Sequence, residues 1–132
     1  MKQKRWEEAA ICFVHFEQRL QSAKWRQMSA ALFSGMYTYD GIAIARNNLG
    51  VVRLEQGRFS EAEAALRRAI ERDTLYAMPY VNLAIIAALA GNATQAEQEQ
   101  ARAHALGFRD RGLQKRVRKL LARTNTTVGA GR

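Results

Sequence analysis

The amino-acid sequence predicts an all-α fold made of stacked helical hairpins. The chain of 132 residues contains one proline, Pro79, and many alanine and arginine residues, so few positions break helices and many favour them. Its central part repeats itself at a shift of 34 residues, which indicates a repeat architecture. Its C-terminal part carries one apolar stripe at helical spacing. The length predicts a single domain, placed at residues 1–123, that buries a core without disulfides.

The repeat is visible when residues 43–76 are aligned with residues 77–110. The matched pairs are Ala43 with Ala77, Asn48-Leu49-Gly50 with Asn82-Leu83-Ala84, Gly57 with Gly91, Ser60 with Thr94, Ala62 with Ala96, Glu63 with Glu97, and Ala69 with Ala103. A shift of one residue either way destroys nearly all of these matches. The small residues among them let two helix backbones approach closely, so the sequence predicts two equivalent hairpins with one tight contact each.

Glycine and polar residues predict where the helices of the two hairpins begin and end. Gly57 and Gly91 follow apolar helical stretches, where a residue in the left-handed conformation commonly ends a helix. The predicted capping boxes, which would begin the second helix of each hairpin, are Ser60-x-x-Glu63 and Thr94-x-x-Glu97. Asp73-Thr74 offers a cap for the helix that contains Pro79 in its first turn.

The N-terminal part predicts helices near residues 3–22 and 24–38, within a degenerate repeat at residues 9–42. Two frames are open for this part, because Arg5-Trp6-Glu7-Glu8-Ala9 also has the pattern of a second repeat helix. The pattern therefore predicts helices here without deciding how they fit the repeat.

The C-terminal part predicts a capping helix at residues 110–123, because a repeat array needs a terminal helix whose outer face is polar. Its apolar stripe consists of Leu113, Val117, Leu120 and Leu121. Residues 124–132 are polar and contain glycine, so a disordered tail is expected there.

The repeated residues resemble the tetratricopeptide-repeat (TPR) family. In residues 43–76 the resemblance is carried by Leu49-Gly50, Gly57, Phe59, Ala62, Leu66 and Ala69, and in residues 77–110 by Tyr80, Leu83-Ala84, Gly91, Ala96 and Ala103. The chain departs from the family pattern at Arg46, Thr74, Ala93 and Gln100. The resemblance implies an α-solenoid, a right-handed superhelix of stacked hairpins, that acts as a protein-binding scaffold, either an adaptor or a chaperone, and not as an enzyme.

The resemblance also implies a concave groove lined by the first helix of each repeat. The groove positions are Ile44, Asn47, Asn48, Val51, Met78, Val81, Asn82, Ile85 and Leu89, preceded in the degenerate repeat by Ala10, Phe13, Glu17 and Gln21. Apolar side chains and asparagine amides suit a peptide with apolar anchors, bound in an extended or helical form. Two alternatives are that neighbouring helices cover these residues, and that they join copies of the chain in a homo-oligomer or a self-assembling scaffold.

The net charge of +9 is concentrated near the C-terminus, because residues 109–132 alone carry +7. The cations around the capping helix are Arg109, Arg111, Lys115, Arg116, Arg118, Lys119 and Arg123. They form either a solvated outer helix face or a contact surface for nucleic acid or another acidic partner. No aromatic residue lies between these charges, which argues against base stacking on a single strand.

No catalytic, metal or cofactor site is predicted. Cys12 and His15 share a helix face, but no second cysteine completes a metal site, and His15 is expected to be a half-buried histidine among apolar residues. A single cysteine and the lack of an apolar stretch long enough for a transmembrane segment or a signal peptide favour a cytoplasmic location. The alternative that the sequence leaves open is a domain of a longer protein.

Overall fold

The computed structural model describes residues 2–21 and 40–129, which form six α-helices without a β-strand. The helices are α1 (Lys2–Gln21), α2 (Gly41–Glu55), α3 (Phe59–Arg72), α4 (Ala77–Leu89), α5 (Ala93–Ala105) and α6 (Arg111–Gly129). The predicted all-α repeat fold is confirmed. The chain falls into two compact units that divide between Tyr76 and Ala77, at the predicted repeat boundary. The superhelix and the single domain remain predictions.

The first unit is built around the hairpin of α2 and α3, with α1 packed on α2. Gly50 is the point of closest approach, because a Cβ atom placed there would lie 2.7 Å from Leu66 Cγ and 3.2 Å from the Ala62 carbonyl oxygen. Leu66, Ala62 and Ala69 are fully buried on the facing helix. The predicted small-residue contact is therefore present in this hairpin.

The second unit contains the equivalent hairpin of α4 and α5, and α6 packs mainly against α4. Ala84 on α4 and both Ala96 and Ala103 on α5 are fully buried, as their matches to the first hairpin predict. The first half of the apolar stripe of α6, Leu113 and Val117, is buried, and the second half, Leu120 and Leu121, is half-buried. The role of this helix as a cap on the second hairpin stays a prediction.

A left-handed glycine ends the first helix of each hairpin. Gly57 has φ 75° and Gly91 has φ 74°, as predicted. After α2, the Gly57 N–H donates to the Leu54 carbonyl oxygen and the Arg58 N–H to the Arg53 carbonyl oxygen, at N···O distances of 3.0 and 2.9 Å. These two bonds make a Schellman motif, and the same pair of bonds occurs around Gly91 and again around a third glycine, Gly107.

Both predicted capping boxes are wrong, because each second helix begins before them. The N-cap of α5 is Asn92, whose Oδ1 accepts from the Gln95 N–H at 3.1 Å while its Nδ2 donates to Gln95 Oε1 at 3.2 Å. The N-cap of α3 is Arg58, which makes no side-chain capping bond. The Schellman turn leads straight into the next helix, so Ser60 and Thr94 already lie inside it.

The residues between α3 and α4 form a turn rather than the predicted helix cap. Asp73 Oδ1 accepts from the Leu75 N–H at 3.0 Å, and the Asp73 carbonyl oxygen accepts from the Tyr76 N–H at 3.3 Å. Helix α4 then begins at Ala77, with Pro79 buried in its first turn. Proline is tolerated there because the first N–H groups of a helix have no partner within the helix.

The two ends of the chain differ in part from the predicted helices. The first predicted helix is present as α1, whereas the one predicted at residues 24–38 lies outside the described residues. The last helix continues to Gly129, six residues beyond the predicted end at 123. Thr124 belongs to this helix, since its hydroxyl donates to the Leu121 carbonyl oxygen at 2.9 Å and so satisfies itself within the helix.

Candidate partner-binding surfaces

Three of the predicted groove positions on α2 reach the surface. Ile44, Asn48 and Val51 are half-buried and lie at i, i+4 and i+7, on one face of the helix. Asn47 lies beside them but is 4% exposed, and its Nδ2 donates to Asn48 Oδ1 at 3.4 Å. The predicted groove positions of α2 that reach the surface are therefore two apolar side chains and one amide.

On α4, the predicted groove residues divide into an exposed pair and a buried set. Met78 is 37% exposed and Leu89 38% exposed, while Val81, Asn82 and Ile85 are each 8% exposed or less. The buried set offers almost no surface to a ligand in this structure. Burial of every residue from position 81 to 88 reflects a helix that is apolar on nearly all sides.

Three of the predicted groove positions on α1, Ala10, Phe13 and Glu17, lie on the face toward α2, and the side chain of the fourth, Gln21, lies outside the described residues. Ala10 is 1% exposed and Phe13 is half-buried. Glu17 Oε1 accepts from Arg46 Nε of α2 at 2.7 Å. Arg46 also donates to the Arg68 carbonyl oxygen of α3 at 3.2 Å. The arginine that departs from the family pattern thus ties three helices together, and this face of α1 serves packing.

The opposite face of α1 is more exposed than the sequence suggested. His15 is exposed rather than half-buried, and so is Cys12. Ile11 and Phe16 on this helix are 55% and 48% exposed. Because α1 packs on α2 through the face that contains Ala10, its other apolar residues point away from that contact.

The arginines of the first unit are largely neutralised by carboxylates. Arg58 Nη2 lies 2.7 Å from Glu61 Oε2, and Arg58 Nη1 lies 3.4 Å from Glu7 Oε1 of α1. The remaining ion pairs of this unit are Arg46–Glu17, Arg53–Glu7, Arg53–Glu61, Arg67–Glu63 and Arg72–Asp40. Interspersed charges of both signs leave little net field at this surface.

The cations of α6 present a different surface. The exposed members are Arg111, Lys115, Arg116, Arg118 and Lys119, which we call the basic face. In the part of the chain that the structure describes, none of these five forms an ion pair. Arg123, also predicted for the acidic-partner patch, is exposed on the same helix.

Arg109, the first cation of the predicted patch, is held at the turn before α6. Its Nη1 contacts His104 Nε2 and donates to the His104 carbonyl oxygen at 3.3 Å. A cavity of about 410 Å³ lies at this place. Its lining residues are Gln100, His104, Phe108, Arg109, Asp110, Arg111, Leu113 and Gln114.

Within residues 2–21 and 40–129, no group of three or more histidine, cysteine, aspartate or glutamate side chains is arranged to hold a metal ion. No helix in the same ranges is both long enough and apolar enough to cross a membrane.

Comparison with known proteins supports the interpretation of the repeat. A family model described as tetratricopeptide repeat matches residues 28–78 and again residues 47–110. No curated protein and no solved structure matches the chain. The two family matches cover both hairpins and more than half of the sequence. With its turn glycines and buried alanines at the repeated positions, the chain belongs to the tetratricopeptide-repeat family.

Proposed function

We propose that this chain is a protein-interaction scaffold, an adaptor or chaperone, which binds a partner peptide along the first helices of its repeats. TPR repeats generally mediate protein–protein interaction and are typically not enzymes. The observation that carries the proposal is the exposure of Met78 and Leu89, two large apolar side chains at predicted binding positions. When a partner covers exposed apolar side chains, their removal from water lowers the free energy and so favours binding.

The spacing of this pair suggests what the partner peptide looks like. Met78 and Leu89 are eleven residues apart, which places them on one face of α4 about 16 Å from each other along the helix axis. In an extended peptide, about five residues span that distance. The expected ligand therefore carries two apolar anchors about five residues apart, or about three turns apart if it is helical.

Helix α2 supports the same mode of recognition. Ile44 and Val51 offer apolar contact, and Asn48 offers an amide that both donates and accepts hydrogen bonds. The peptide backbone can donate a hydrogen bond to the carbonyl oxygen of this side chain or accept one from its NH₂ group. Asn47 and Asn82 are buried and are not assigned to ligand contact.

The test uses peptides selected from a random 12-residue display library against the whole chain. Fluorescence anisotropy then measures the Kd of each selected peptide for the wild-type chain and for the double variant Met78→Gln/Leu89→Gln. Both residues are exposed, so the polar replacements should leave the fold intact. Loss of two apolar anchors that the bound peptide would cover should raise Kd by about 10-fold or more.

The matched control is the double variant Ile11→Gln/Leu75→Gln. It removes two large apolar side chains that are 55% and 73% exposed and do not lie on α2 or α4. Kd should change by less than about 2-fold, since these residues do not lie on the proposed surface. Equal loss of binding in both double variants, or selected peptides without apolar residues, would rule out the proposed surface.

A further inference from the structure

The basic face of α6 is the strongly charged surface that peptide binding does not use. Successive residues of an α-helix turn by 100°, so Arg111, Lys115, Arg118 and Lys119 lie on the side away from the buried Leu113 and Val117, and Arg116 lies at the edge of that side. Lys115 is followed on the same side by Arg118 and Lys119, about 4.5 and 6 Å further along the helix axis. The helix thus carries a row of cations directed away from its own core.

These cations lack the carboxylate partners that the arginines of the first unit have. Arg58 and Arg67, for example, lie 2.7 Å from Glu61 and Glu63. Within the described residues, no carboxylate forms an ion pair with the five cations of the basic face. Their mutual repulsion is unrelieved, and a polyanion would relieve it.

The chemistry of the face favours a phosphate backbone over a protein or a membrane. Protein interfaces contain a core of apolar and aromatic side chains, whereas no large apolar residue lies among these five cations. A membrane-surface helix inserts its apolar side, but here Leu113 and Val117 of that side are buried within the protein. A nucleic-acid backbone needs only cations at close spacing.

We propose that the basic face of α6 binds the phosphate backbone of a nucleic-acid duplex without reading its base sequence. A duplex is favoured over a single strand because no aromatic side chain lies on the face to stack with bases. Five phosphate contacts correspond to a slope of about −4 to −5 for the logarithm of the binding constant against the logarithm of salt concentration. This proposal does not rest on peptide binding by α2 and α4.

The test is fluorescence anisotropy of a labelled 20-base-pair DNA duplex with the whole chain at salt concentrations from 50 to 200 mM. The triple variant Lys115→Gln/Arg118→Gln/Lys119→Gln removes three of the five contacts. Its salt slope should become shallower by about 2.7, and its affinity at the lowest salt should fall accordingly. Circular dichroism checks that the helix content of the variant is unchanged.

The matched control is Lys4→Gln/Arg5→Gln/Arg68→Gln, which lowers the net charge equally at exposed positions of the first unit. This control should keep the wild-type salt slope within one unit. The proposal is overturned if the wild-type chain does not bind the duplex, if its binding is flat with salt, or if both triple variants weaken binding equally. It is also overturned if a polyglutamate peptide or vesicles of anionic lipid bind to the wild-type chain more tightly than the duplex.

Discussion

At the crossing of α2 and α3 in the first hairpin, Gly50 lies against the fully buried Leu66. The equivalent positions of the second hairpin are occupied by Ala84 and the half-buried Gln100. A glycine facing a large apolar residue has thus been exchanged for an alanine and a residue that reaches the surface. The two hairpins share the repeated helix-turn-helix arrangement. Both side chains at the crossing of their helices differ between them.

The two hairpins differ more in the charged residues on their surfaces than in their repeated helix-turn-helix arrangement. The first hairpin, residues 41–72 with the turn included, carries six arginines, and most are paired with carboxylates. Helix α4 carries no charged residue, and α5 carries one arginine, Arg102, which pairs with Glu99. The unneutralised charge of the second unit is concentrated on α6. The repeat therefore specifies the framework, and positions outside the repeated set decide what each hairpin can bind.

The largest expected effect comes from removing the large residue at the first crossing. Leu66→Ala should lower the free energy of unfolding by about 2–5 kcal/mol, because it leaves a cavity in a fully buried site. Gln100→Ala, the same truncation in the second hairpin, should cost less than about 1 kcal/mol. Urea denaturation followed by circular dichroism measures both. Similar costs would show that the two crossings are packed alike.

A methyl group added at Gly50 of α2 tests the same contact between α2 and α3 from the side of α2. Gly50→Ala places a Cβ atom 2.7 Å from Leu66 Cγ, so it should destabilise the protein by about 1–3 kcal/mol. Gly112→Ala is the matched control, since its Cβ would meet only the flexible Asp110 carboxylate, at 3.0 Å. That change should be neutral or stabilising by up to about 1 kcal/mol.

The two substitutions at the crossing should also be coupled. In a Leu66→Ala background the side chain that clashes with the new methyl group is absent, so Gly50→Ala should cost measurably less than it does alone. A double-mutant cycle from urea denaturation gives the interaction free energy. Strict additivity would contradict the contact between these residues.

A smaller effect is expected at the glycines that end the first helix of each hairpin. Gly57→Ala and Gly91→Ala each force a side chain into the left-handed region, at a cost of about 1–2 kcal/mol. No atom lies within 4 Å of the new Cβ at Gly57, and the nearest at Gly91 is at an ordinary contact distance of 3.5 Å. Thermal unfolding should therefore give similar losses, and clearly unequal losses would mean that the turns are not equivalent.

The smallest effect should come from the surface ion pairs of the first hairpin. Arg67→Gln removes a pair in which both side chains are about 40% exposed or more. The expected loss is below about 0.5 kcal/mol, and it should shrink as salt is added. A loss above 1 kcal/mol by urea denaturation would show that charge pairing, rather than the repeated frame, stabilises this hairpin.

The repeated frame could be predicted because its residues are restricted by geometry. Gly57 and Gly91 occupy conformations that side chains avoid, and Ala62 and Ala96 are fully buried at the contact within each hairpin. Helix starts were predicted less well. Several polar residues follow each turn, so the sequence offers more than one candidate cap. In the first hairpin the helix after the Schellman motif begins at Phe59, before the predicted cap at Ser60.

The candidate binding surface could be predicted only in part. Helix α4 is apolar on nearly all sides, so its sequence does not show that Val81 and Ile85 are buried while Met78 and Leu89 are exposed. On α1, likewise, apolar residues occur on two faces, and the one facing α2 is identified only by contacts such as Glu17 with Arg46. Burial at such positions depends on packing between distant segments rather than on local pattern.

The measurement that tests the proposed role most directly is an NMR titration of the ¹⁵N-labelled chain with a selected apolar-anchor peptide. We expect the largest backbone amide shifts at Ile44, Asn48 and Val51 of α2 and at Met78 and Leu89 of α4. Residues of the basic face should remain unshifted. Shifts confined to α3, α5 or α6, with the first helices of the repeats unaffected, would contradict the account.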